Sequence, residues 1–165
     1  MAVDSWFDVP SGTPMHHHCY AHVEWSTDPN KWSEQSRNAP SLVAWQPGDV
    51  LRWVYQRLAD HADQTEEAHD RRGHLEEALA SFPGEGALSL PVAEIPDRWQ
   101  YLAAALSHGR WSIQPWHLSF RKVLVLHILS YADAGQQSGN HHVCRDHERP
   151  ADQPYREPGD PVEVP

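Results

Sequence analysis

Between Val123 and Leu129 the chain reads VLVLHIL, six apolar side chains interrupted by one histidine. It is the most apolar run in the chain, so any fold must bury it near the centre. A run that is apolar nearly all round suits a helix buried on all sides. A buried parallel strand gives the same pattern, and length and flanking residues arbitrate. The surrounding segment, QPWHLSFRKVLVLHILSYADAG at 114–135, opens on Pro115 and closes on Gly135. That length and those ends predict a central helix.

Two further helical patterns precede it. In PGDVLRWVYQRLADHADQTEEAHD, residues Val50, Leu51, Val54, Leu58 and His61 recur at helical spacing, with Asp49 as the expected N-cap. The stripe fades beyond Ala59, Gly73 is expected to break the helix, and HLEEALASF resumes it. In IPDRWQYLAAALSHG, Trp99, Leu102, Ala103 and Leu106 form an i, i+3, i+4, i+7 stripe between Pro96 and Gly109. The fold expected is mainly α: a small bundle of three to four helices with an irregular Trp-rich N-terminal region. Its core is Val50, Leu51, Val54, Leu58, Trp99, Leu102, Leu106, Leu118, Val123, Leu126 and Leu129.

Three segments follow. Residues 1–46 hold four of the eight tryptophans and one alternating stretch, YAHVEWS. A short strand there would put Ala21, Val23 and Trp25 on one face and Tyr20, His22 and Glu24 on the other. Residues 47–135 form the helical core domain. Residues 136–165 are rich in Pro, Gly, His and acids and too poor in apolar side chains to offset the entropy of ordering. A largely disordered, polar, Pro-rich tail is expected.

The formal net charge of -10 disfavours binding to nucleic acid or an anionic membrane, because the long-range field repels phosphate. It suits a protein partner with a basic surface. No segment reaches the roughly 20 apolar residues that span a bilayer. The opening MAVDSWFDVPSGTP has neither the basic start nor the apolar run of a signal peptide. A cytoplasmic location is expected, where two lone cysteines are more often free or metal-bound than paired. A Cys19–Cys144 disulfide would require export.

Both cysteines sit in the same pattern. HHHCYAH at 16–22 and HHVCRDH at 141–147 each read His-His-x-Cys-x-x-His. Two thiolates and two imidazoles make a closed tetrahedral zinc site. The ligands expected are Cys19, His22, Cys144 and His147, with His16 to His18, His141 and His142 as substitutes or supporting donors. The set requires a turn at 19–22, since a straight strand would point Cys19 and His22 to opposite faces. The competing reading is solvated histidines and inert thiols.

A second metal reading uses Glu66 and His69 on one helix face, with His61, His117 and His127 nearby on the bundle. Here the competing reading is a solvated charged face. No nucleophile elbow, phosphate loop or dinucleotide fingerprint occurs. The leading function is a small acidic binding or regulatory protein without catalytic activity, stabilised by zinc. The alternatives are a metal-dependent enzyme with a His/Glu site on the helices, and an acidic antitoxin- or immunity-type inhibitor of a basic partner.

Overall fold

The computed structural model describes residues 13–64, 70–84, 95–134, 143–144 and 146–155. The element order is β1 (Met15–Glu24), β2 (Leu42–Ala44), α1 (Pro47–His61), α2 (Asp70–Ala80), α3 (Asp97–His108), β3 (Ser112–His117) and β4 (Val123–Ala132). The four strands form one antiparallel sheet in the order β2-β1-β4-β3. The protein is therefore mixed α/β, and the expected helical bundle does not form.

The correction centres on residues 112–132. The run expected to be the central helix is instead β4, paired to β1 on one side and β3 on the other. Both of its faces are covered, so polar alternation is absent and the sequence imitates a buried helix. Pro115 does not open a helix. It lies within β3, an edge strand, where its missing N–H costs no ladder bond. The turn joining the strands is Ser119–Lys122, held by Leu118 and Ser119 N–H groups donating to the Lys122 carbonyl.

The remaining helices follow their apolar stripes. α1 ends at His61, close to where its stripe fades. Its N-cap is Gln46, with Asp49 inside the first turn, so Asp49 supplies charge to the N-terminus rather than the cap. α2 runs through Gly73 without a break. α3 ends at Gly109 with φ of 66°, and the Gly109 and Arg110 N–H groups close the last turn.

All eleven expected core residues are buried, but they do not share one core. Residues alternate across β1 and β4. Cys19, Leu124, Leu126 and Ile128 face the helices and pack with Val50, Leu51, Val54, Leu58, Trp99, Leu102 and Leu106. Val123 and Leu129 occupy the opposite face, paired in register with Glu24 and His18. That second face carries His16, His18, Tyr20 and His22 of β1 beside His127 and Tyr131 of β4.

Part of the expected disordered tail is anchored here. Val143 forms a parallel bridge to Ala132, and the Cys144 N–H donates to the Ala132 carbonyl at 3.0 Å. Arg149 then fixes the segment. Its Nε donates to Asp133 at 2.7 Å, and its terminal nitrogens donate to the carbonyls of Met15, Trp45 and Gln153. Its guanidinium also stacks over Trp45 and Tyr155. Apolar area was the wrong criterion for this segment: charge-assisted hydrogen bonds order it instead.

Candidate metal centre

β1 places two histidines side by side because it is a strand. His16 and His18 are two residues apart and project from the same face. Both are buried, at 0% and 7% exposure. Trp45 lies 4.5 Å from the His16 ring and Tyr131 lies 4.5 Å from the His18 ring, so aromatic surface shields both. The anchored C-terminal segment supplies the rest. Cys144 is buried, and its Sγ lies 3.4 Å from Nδ1 of His147. Donor atoms of His16, His18, Cys144 and His147 all fall within 4.8 Å of one another. Zinc bonds of about 2.3 Å to sulfur and about 2.0 Å to nitrogen, at tetrahedral angles, separate such donors by about 3.5 Å.

The hydrogen bonding fixes which nitrogen of His16 is available. Nδ1 of His16 lies 2.7 Å from Oδ1 of Asp133. A carboxylate only accepts, so Nδ1 carries a proton, and in the neutral ring Nε2 holds the lone pair. Nε2 of His16 and Nε2 of His18 are both buried without a partner among the described residues. An unsatisfied buried polar atom costs about 1–3 kcal/mol, and here two meet beside a thiol. Carboxylate–histidine pairs of this kind orient metal ligands and raise their basicity.

The electrostatics keep the site ready for a cation. His18 is depressed to about 4, first by burial, then by His16 and His147, with Asp146 opposing. Its imidazole is therefore neutral over the physiological range, as a ligand must be. Burial pushes the Asp133 carboxyl up, but hydrogen bonds from His16 and Arg149 outweigh it and hold the group below its ordinary value. Asp133 thus carries negative charge between the metal-facing histidine and the arginine of the clamp.

The sequence-predicted ligands divide. Cys144 and His147 come together. Cys19 and His22 do not join them, because β1 runs unbroken through 19–22 and points the two residues to opposite faces. Cys19 is fully buried in the helix-side core, where burial pushes its thiol up. His22 lies farther along the strand, with Nε2 2.9 Å from Glu24 Oε1 and its ring stacked on His127. Both cysteines are free.

His16 and His18, expected as substitutes or supporting donors, are the β1 histidines that lie in the cluster with Cys144 and His147. Their i, i+2 spacing on a strand was the available signal. Asp133 and Arg149 carried no comparable signal. Of the helical metal reading, Glu66 and His69 lie outside the described residues, as do His141 and His142. His117 and His127 are on strands rather than helices, and His61 bonds the Arg57 carbonyl of its own helix at 2.8 Å.

No described helix is long and apolar enough to cross a membrane. Comparison with known proteins finds no matching family model, no similar curated protein and no similar solved structure.

Proposed function

We propose that this protein binds one zinc ion through His16, His18, Cys144 and His147. In this reading the ion is a structural staple between the first strand and the C-terminal segment. The observation that carries it is the clustering of His16 and His18, each with a buried Nε2 that has no partner among the described residues, with Cys144 and His147. Four protein donors close a tetrahedron and leave no position for an exchangeable water, which favours a structural ion over a catalytic one. The mixed sulfur and nitrogen set suits zinc better than calcium or magnesium, which take oxygen. The protein then acts by binding, in a reducing compartment such as the cytoplasm that keeps Cys144 out of disulfides and available to the metal. Its net charge of -10 suits a protein partner with a basic surface.

The test uses full-length protein made without a histidine tag and refolded with zinc. About one zinc per chain is expected, falling to background in both Cys144→Ser and His18→Ala. The cobalt-substituted protein should show tetrahedral d–d bands and a thiolate charge-transfer band that Cys144→Ser removes. Metal retained in both variants, or trace metal in the parent, overturns the reading. A labile five-coordinate cobalt spectrum would indicate an open, catalytic site instead.

A further inference from the structure

A second feature of the same sheet face lies outside the metal centre. The loop at 29–36 arches over β3 and β4 and leaves a pocket of about 470 Å³, bounded by Trp32, Trp111, Ile113, Pro115, His127 and Leu129. That volume falls within the roughly 300–1,000 Å³ of small-molecule sites. Two indoles and three apolar side chains form one side of the pocket, and Pro29 with the polar Ser33, Glu34, Gln35 and Ser36 completes the lining. Both indole N–H groups are already used, Trp32 toward the Ser26 carbonyl and Trp111 toward the Ser130 carbonyl. The rim is also engaged with itself: Ser36 bonds Glu34, Asn38 bonds Gln35, and the Ser33 N–H bonds Glu24.

His127 differs. It lines the pocket, is only 6% exposed, and its Nε2 has no hydrogen-bond partner among the described residues. It stands in the middle of the most apolar run of the chain, where a leucine would pack at no such cost. With the loop's polar groups bonded among themselves, the apolar walls and the imidazole suit a ligand with a flat hydrocarbon body and one hydrogen-bonding group. A hydroxyl both donates and accepts, so it matches either tautomer of a neutral imidazole.

We infer that this pocket binds a hydroxylated aromatic small molecule, its rings against Trp32 and Trp111 and its hydroxyl on His127. The inference stands apart from the metal centre, since none of the four proposed ligands lines the pocket. The rings supply dispersion and burial, and the imidazole selects the hydroxyl over hydrogen.

The test uses the full chain with 2-naphthol as probe and naphthalene as its hydroxyl-free control. Titration should show saturable binding of 2-naphthol at one site per chain, at least five-fold tighter than naphthalene. His127→Phe should abolish that preference, and Trp32→Ala should weaken both compounds at least five-fold. In the unmutated protein, 2-naphthol should shift the imidazole nitrogen resonances of His127 and leave those of His61 in place. The NMR result does not depend on any variant folding. Absence of saturable binding, or binding that leaves the His127 resonances unmoved, overturns the inference. So does a hydroxyl preference that survives in a folded His127→Phe protein.

Discussion

The two faces of the sheet are built from different materials. The helix-side face joins Cys19, Leu124, Leu126 and Ile128 to the apolar stripes of three helices, and the buried His17 on that face already has Ser130 as a hydrogen-bond partner. The other face carries His16, His18, His22 and His127, covered by the 29–36 loop and the C-terminal segment. Hydrocarbon needs only shape and volume, so the first face is complete within the chain. Imidazoles need partners of defined chemistry, and on the second face the Nε2 atoms of His16, His18 and His127 have none among the described residues. One face holds the hydrocarbon core, and the other holds the sites proposed above.

The sharpest way to break this contrast is to charge the hydrocarbon face. Leu126→Asp puts a carboxylate at a fully buried position among the helices. The cost of several kcal/mol approaches a typical total stability of about 5–15 kcal/mol. The far-ultraviolet circular dichroism spectrum should lose its folded form. A parent-like melt would show that the hydrocarbon face does not hold the fold.

A smaller effect should come from the opposite face. Chelating the zinc-loaded protein should lower its melting temperature and expose residues 143–155 to proteolysis. Free metal at a hundred times its dissociation constant stabilises by about 2.7 kcal/mol, and that increment disappears. Cys144→Ser should already show the lower melting point and should not respond to chelator. Equal melts with and without chelator would place the fold's stability wholly on the helix side.

The smallest effect is the pH response of the metal-free protein. Burial holds His17 near 3 and His127 near 4, with neighbouring histidines adding to the depression. Both rings are neutral when folded, whereas the unfolded chain protonates them below about 6.5. Stability is therefore full above about 6.5 and falls as pH drops toward those folded values. For fully buried His17 the slope is at most about 1.4 kcal/mol per pH unit. Denaturant midpoints from pH 7.5 to 4.5 should decline, and His127→Leu should flatten part of the decline. A flat profile would mean that these imidazoles remain solvated.

The same contrast governs what could be read in advance. The stripes of α1 and α3 were legible because one covered side gives a helix its period. The core residues were legible too, although their division between two faces was not. β4 was misread because two covered faces erase the alternation that marks a strand. The hairpin before it was hidden because Leu118 to Lys122 contain no Gly, Pro, Asn or Asp to signal a turn. At the candidate metal centre, one of the two His/Cys motifs contributes Cys144 and His147 to the cluster, and the other contributes His16 and His18 in place of Cys19 and His22. The selection of His16 and His18 required knowing that β1 is straight. Arg149 was invisible because its partners are mainly backbone carbonyls, which any sequence supplies.

The pairing of β1 with β4 also sets an order of assembly. His16 meets Asp133 across 117 positions of chain. On a ribosome, β1 emerges first and waits through the synthesis of all three helices before its main partner exists. Until then only His17 to Cys19 have a partner, on β2, and the rest of its edges are open to pairing with other chains. Contacts this distant in sequence make for slow folding. The polar and imidazole side chains along β1 make that wait safer than a hydrocarbon strand would.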